Sequence, residues 1–227
     1  MKKFLFLFAL CLVCNLFASA QTRIGIRGGL QLADMRNQPD DRTNLTDETK
    51  MLFGYQVGVV LDYSFNNVLF FQPGLLLNSK GSKVIIRNNL LNTTTTIKNN
   101  PMYAELPLLF GVRFGLQNFK LFGMAGPYLA YGFAGKNYFK LESPIPASNQ
   151  ESESSIKWGD KTSLSDPRDL RPFDMGLTVS AGVEMNNLQI GAFYSPGFVN
   201  ISPEGSGGKL YNTTIGIQTT FLLGNRD

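Results

Sequence analysis

The stretch MLFGYQVGVVLDYSF, residues 51–65, decides the fold. Its odd positions read Met51, Phe53, Tyr55, Val57, Val59, Leu61, Tyr63 and Phe65. The even positions between them read Leu52, Gly54, Gln56, Gly58, Val60, Asp62 and Ser64. Successive strand side chains point to opposite faces, so alternation sustained over this length predicts a strand with one apolar and one polar row. FDMGLTVSAGVEM (173–185) repeats the pattern, with Asp174, Gly176, Thr178, Ser180, Gly182 and Glu184 in its polar row. YNTTIGIQTTFLL (211–223) sets Tyr211, Ile215, Ile217 and Phe221 against Asn212, Thr214, Gly216, Gln218 and Thr220.

Working outward from these segments predicts strands at 23–34, 51–65, 68–80, 102–115, 119–133, 173–185, 188–199 and 209–223. Each is near or above the roughly 9–11 residues that cross a bilayer when tilted. Asn66-Asn67, Gln117-Asn118 and Asn186-Asn187 read as tight turns, because Asn tolerates left-handed geometry. The stretches 35–50, 81–101, 134–172 and 200–208 read as long polar loops. Short turns at one end and long loops at the other is the asymmetry of bacterial outer-membrane barrels. The expected fold is all-β: an eight-stranded antiparallel up-and-down transmembrane β-barrel with short periplasmic turns and long extracellular loops. Pro73, Pro107, Pro127 and Pro196 conflict with a regular ladder, since each removes a hydrogen-bond donor inside a proposed strand.

A soluble, lipocalin-like barrel also alternates, with its apolar row inside. Glycines separate the two readings. Gly25, Gly29, Gly54, Gly58, Gly74, Gly176, Gly182, Gly191 and Gly216 fall mostly in the polar rows. On a solvated strand surface glycine only weakens the strand, whereas an eight-stranded interior is barely wide enough for side chains and favours small ones. Aromatics mark both ends of the apolar rows. Phe53, Tyr55, Tyr131, Phe173 and Tyr211 lie toward the outer side, and Tyr63, Phe65, Phe114, Phe119 and Phe221 toward the inner side, as two membrane girdles require. The apolar row is therefore expected to face lipid.

The first twenty residues read as a signal peptide: Lys2 and Lys3, an apolar run from Phe4 to Phe17, and Ala18-Ser19-Ala20 before cleavage at Gln21. Residues 21–227 are then one barrel domain, and Cys11 and Cys14 leave with the signal. Losing two lysines lowers the net charge of +4 to roughly +2, too little for a nucleic-acid partner. The chain contains no histidine, so a nucleophile would need help from a carboxylate or lysine at neutral pH. No Walker loop, dinucleotide fingerprint or zinc-ligand spacing occurs. No catalytic residue, cofactor or metal is expected.

Charges in the polar rows are the candidate site: Arg27, Asp62, Glu105, Arg113, Asp174 and Glu184 all point inward by this register. They could line a pore or proton path. The expected alternative is an ion-pair network filling a closed barrel, because buried charges need partners and so narrow an interior leaves little room for water. Trp158, the only tryptophan, lies within ESESSIKWGDK. It is either a contact residue or, as expected here, a side chain packed on the barrel rim beneath a mobile polar loop. Pro144, Pro146, Pro167 and Pro172 argue against a long regular element there. Asn92 to Thr96 reads as a polar hairpin extension.

Seven segments in order resemble the PorT-like outer-membrane β-barrel domain common in Bacteroidetes: RIGIRGGLQLADM, GYQVGVVLDYSF, LFFQPGLLLNSKG, YAELPLLFGVRFG, FKLFGMAGPYLAYG, FDMGLTVSAGVEMNNLQIGAFYSPGFVNI and YNTTIGIQTTFLLG. The prolines of QPG, ELP and AGP belong to that resemblance. It implies an outer-membrane barrel, and it implies no set of functional residues. Three functions follow as expectations. The first is a non-enzymatic barrel with a structural or interaction role through loops 35–50 and 134–172. The second is a component of an outer-membrane protein-secretion apparatus, as the family's namesake is. The third is a soluble periplasmic barrel binding an apolar ligand. The expected partners are outer-membrane lipid and other envelope or secretion proteins, and the chain is expected to be monomeric.

Overall fold

The structure, a computed structural model, describes residues 22–38, 47–88, 93–144, 149–206 and 208–224. The proposed signal peptide, residues 39–46 of the first loop, Asn92 and Pro146 lie outside the described residues.

Ten strands form one antiparallel sheet: β1 (Thr22–Gln38), β2 (Asp47–Ser64), β3 (Leu69–Ser79), β4 (Ser82–Asn88), β5 (Thr93–Gly115), β6 (Lys120–Glu142), β7 (Gln150–Ser155), β8 (Phe173–Met185), β9 (Leu188–Pro196) and β10 (Lys209–Leu223). Pairing runs β1–β2–β3–β5–β6–β8–β9–β10 and returns to β1, which closes a ring of eight. The remaining two strands are not ring members. β4 continues the place of β3 between β2 and β5, and β7 pairs only with the far end of β6. Closure leaves no unpaired edge in the ring, the condition for a sheet to satisfy its backbone in lipid.

The alternation lands as the sequence requires. Along β2, Phe53, Tyr55, Val57 and Val59 are exposed, while Gln56, Val60 and Asp62 are buried. The same split holds along β8 and β10. A soluble barrel with an apolar interior would need the opposite faces, so that reading is overturned. The inward glycines have the steric reason expected of them. A β-carbon on any of the nine would meet a neighbouring atom at 2.1 Å (Gly58, on the Leu75 carbonyl) to 2.9 Å (Gly74).

The tight turns close one end of the ring. Asn66 Oδ1 accepts from the amides of Val68 and Leu69 at 2.8 and 2.7 Å. Leu116 donates to Phe119 at 2.7 Å, and Asn186 adopts φ 52°, the left-handed geometry anticipated for it. The chain ends of the barrel share this turn end. Three of the four prolines sit beside breaks in the ladder. The β2–β3 pairing skips two residues at Pro73, and the β5–β6 pairing skips two between Pro107 and Phe110, opposite Pro127. Pro196 ends β9, three residues short of the predicted boundary.

The other end departs from expectation. Residues 81–101 and 134–142, anticipated as loops, are largely strand. β5 and β6 each run 23 residues, about twice the 9–11 that a bilayer needs. Their far halves join β4, β7 and the start of β2 in a sheet that projects past the apolar belt. Both faces of this sheet carry polar residues, so it lacks the one-sided period that marks the belt strands. Pro144 follows the end of β6, and Pro167 and Pro172 fall outside strands, as expected.

Candidate functional site

All six predicted inward charges are buried in the lumen, and Arg23 and Lys80 join them. Among the described residues, the buried charged side chains are thus four cations (Arg23, Arg27, Lys80, Arg113) and four anions (Asp62, Glu105, Asp174, Glu184). They form two tiers. Nearer the turns, Arg23 Nη2 reaches Asp62 at 3.2 Å and Glu184 at 2.8 Å. Arg113 holds the same two carboxylates, Asp62 at 2.5 Å and Glu184 at 3.1 Å, with its guanidinium 3.8 Å from the Phe70 ring. Arg27 donates to Thr220 at 3.0 Å and to Gln72. Nearer the loops, Lys80 Nζ sits between Glu105 at 2.9 Å and Asp174 at 3.1 Å, 4.1 Å from the Tyr128 ring centroid. Leu109, in an apolar cluster with Phe70, Phe122 and Met124, separates Glu105 from Arg113 along β5.

Hydrogen bonds cross the whole ring. Gln72 on β3 donates to Gln189 on β9 at 3.1 Å, and Asn212 on β10 donates to Tyr103 on β5 at 3.4 Å. Each pair joins strands four places apart in a ring of eight, which is diametrically opposite. Side chains that touch across the diameter leave no continuous water column at those levels, and the charges within are matched four to four.

The loop end carries a folded cap. Trp158 packs edge-on against Tyr103 at 5.6 Å between centroids. Its ring lies over Gly132, where a β-carbon would come within 2.2 Å of it. Met35, Ile156, Leu170 and Ile201 form a buried cluster that Trp158 and Leu210 complete. Backbone bonds tie residues 156–172 to 200–210: Arg171 to Ile201 at 2.8 Å, Thr162 to Glu204 at 2.9 Å, and Glu204 to Asp160 at 2.8 Å. Trp158 therefore packs on the rim as anticipated. The segment around it, anticipated as a mobile polar loop, is instead folded over an apolar underside. Ile156, Leu170 and Ile201 are too widely spaced for a periodic signal, and only their convergence in space makes a core.

Beyond the cap edge, the projecting sheet presents two faces. Directly paired residues share a face. Val84, Ile97 and Phe139 pair in one row, and Lys83, Lys98 and Tyr138 in the next. Exposed Leu106, Phe110, Val112 and Phe114 mark the even positions of β5 as outward, so Lys98 continues the outward face. On that face Lys136 pairs with Glu153, and Lys140 with Glu142 at 2.7 Å. Those carboxylates raise both lysines above their ordinary pKa, chiefly through the hydrogen bond. Glu151 raises the Tyr138 phenol in the same way. At the turn end, a cavity of about 920 Å³ opens among Arg23, Phe119, Lys120, Glu184, Leu188 and Phe221. No group of three or more metal-ligating side chains occurs among the described residues.

Comparison with known proteins gives the family. A family model described as outer membrane protein beta-barrel domain matches residues 17–202. A search of curated proteins found no match. Among solved structures, the chain is similar to Neisserial surface protein A, at 12% identity over 89% of this chain and 97% of that one, with a TM-score of 0.38. It is similar to the attachment invasion locus protein of Yersinia pestis, solved with the heparin analogue sucrose octasulfate, at 14% identity over 88% and 99%, with a TM-score of 0.34. Similarity to OprG from Pseudomonas aeruginosa reaches 14% identity over 89% and 96%, with a TM-score of 0.45. The family model spans most of the chain, so the protein belongs to the outer membrane protein β-barrel domain family and lies in the outer membrane.

Proposed function

We propose that this barrel is a non-enzymatic interaction protein of the cell surface, with the membrane ring serving as a scaffold for its extracellular cap and projecting sheet. The observation that carries this reading is the extent of folded structure outside the belt. β5 and β6 continue well past the length a bilayer needs, and the cap has its own buried core. The filled lumen supports a scaffold over a conduit, and the lack of histidine supports binding over catalysis. The test replaces 82–100 and 135–170 with short turns while keeping the ring. A trimmed barrel that reaches the membrane but fails to rescue a deletion strain supports the reading. Full rescue by the trimmed barrel refutes it.

A second reading draws on the ordered resemblance to the PorT-like barrels of Bacteroidetes. There the protein is a component of a secretion apparatus, with the cavity at the periplasmic mouth as the contact for a partner. It requires loss of protein secretion on deletion and co-purification with envelope proteins. A deletion strain that secretes normally would rule it out.

A further inference from the structure

Closure removes strand edges from the ring, but the projecting sheet keeps one. β7 pairs with β6 alone, and no described strand lies along its other side. All six of its residues are exposed. The ladder fixes which backbone groups this edge presents. The Ile156 amide donates to the Gly135 carbonyl at 3.0 Å, in the register that pairs Ser155 with Lys136, so 135 and 156 form a hydrogen-bonded pair. Such pairs alternate along an antiparallel ladder. Gln150, Ser152 and Ser154 therefore turn their amides and carbonyls toward β6, and Glu151, Glu153 and Ser155 turn theirs to the open side. Among the described residues no loop or strand supplies partners for those three. Open donors and acceptors at every second residue are what an added strand completes.

The side chains of the edge select the strand. Glu151, Glu153 and Ser155 lie opposite Lys140, Tyr138 and Lys136 and share their outward face. Glu153 pairs with Lys136, and Glu151 accepts a hydrogen bond from the Tyr138 hydroxyl. The Glu153 side chain is nevertheless 53% exposed, so it can take a second cation from the open side. A strand added there places its own side chains directly opposite both glutamates, where opposite charge stabilises the pairing and like charge opposes it. That rule disfavours a second copy of this chain. Two β7 edges joined about a two-fold axis at Ser152 set Glu151 against Glu153, and an axis at Glu153 sets that residue against itself. At the Ser155 end a cavity of about 510 Å³ opens, with Met102, Phe133, Lys136, Ser155 and Ile156 in its lining. Its apolar walls suit an apolar side chain at that end of the added strand.

We propose that the open edge of β7 docks an extended, basic segment of a partner protein. The segment adds a strand to the projecting sheet, sets lysine or arginine opposite Glu151 and Glu153, and brings an apolar side chain to the cavity beside Ser155. The site rests on the interaction role proposed above and names the chemistry of the partner.

The test uses the full barrel folded in uncharged detergent and a fluorescent hexapeptide, leucine followed by alternating threonine and lysine, read by anisotropy. Wild type should bind it. Methylating the peptide nitrogens that face β7 should weaken binding on the order of tenfold, and methylating the alternate set should not. Replacing the lysines of the peptide by glutamate should weaken binding as much, and Glu151→Lys/Glu153→Lys should reverse that preference. Equal binding of the two methylated peptides refutes strand addition. Equal binding of the lysine and glutamate peptides refutes a basic partner, and no binding of either refutes the site. Should the charge-reversed variant fail to fold, the peptide series on wild type decides alone. A deletion strain separates this site from the broader role. Glu153→Pro removes one open-side amide and spares the β6 ladder, so it should lose rescue. Full rescue by Glu153→Pro, with none by the trimmed barrel, removes the site and leaves the interaction role standing.

Discussion

Lys80 is a single cation held between two buried carboxylates, Glu105 and Asp174, and its removal strands both. A buried charge deprived of its partner costs about 3–5 kcal/mol, whereas replacing a whole buried cluster by neutral side chains is close to neutral. Lys80→Met should therefore lose stability of that size in denaturant titrations of the barrel in lipid vesicles. Lys80→Met/Glu105→Gln/Asp174→Asn should recover most of it. A triple variant no better than the single would mean that the carboxylates are not what the lysine serves. Trp158 offers a second test, because it is the only tryptophan and its ring lies against Gly132. Gly132→Ala should displace the indole, and the emission maximum should move to longer wavelength. An unshifted spectrum would show that the rim accommodates the methyl group. Parity along the strands made six of the eight buried charges legible. Arg23 has the parity of Arg27, and Lys80 that of Asn78, so both were within reach of the same rule. They escaped it because each sits at a predicted strand end, where inward and outward lose their meaning without the partner strand.

Elements outside the belt were the least legible, for a physical reason. A strand in the ring has lipid on one side and a polar lumen on the other, which writes a period of two into its sequence. β4 and the far halves of β5 and β6 have no such contrast: TTTTIKNN is polar except for Ile97 and reads as loop. Pairing to their neighbours, and not propensity, makes them strands. The cap depends likewise on distant contacts. Leu170 is 2% exposed and meets Met35, Ile156 and Ile201, so Leu170→Ala should remove about 2–5 kcal/mol from the cap. Since the pairings that close the ring do not run through residues 156–172, the loss should be local. Trypsin should cut faster at Lys157, Lys161 and Arg168 while the ring resists. Cleavage at the wild-type rate would mean that the buried cluster does not hold the cap down.

At the scale of the whole molecule, closure governs behaviour. Eight strands, tight turns at one end and glycines on the inner rows were all readable, and together they describe a ring too narrow to conduct unless its contents move. Two separate obstructions fill it: the cap above and the bridged polar tiers below. Wild type in a planar bilayer should show no steady conductance. Replacing 156–172 by a short linker should leave the bilayer equally silent, because Gln72–Gln189 and Asn212–Tyr103 still join opposite walls. Steady current through the capless barrel would place the seal in the cap and reopen the pore reading of Arg27, Asp62, Glu105, Arg113, Asp174 and Glu184. Closure also predicts the behaviour of the protein in detergent. A ring with no free edge and every ladder bond made internally unfolds only as a unit. In the outer-membrane fraction the unboiled protein should stay folded in SDS and migrate apart from the boiled form. A capless variant should show the same shift, because the ladder that resists the detergent lies in the ring. A shift that disappears with the cap would move the source of that resistance from the ladder to the loops.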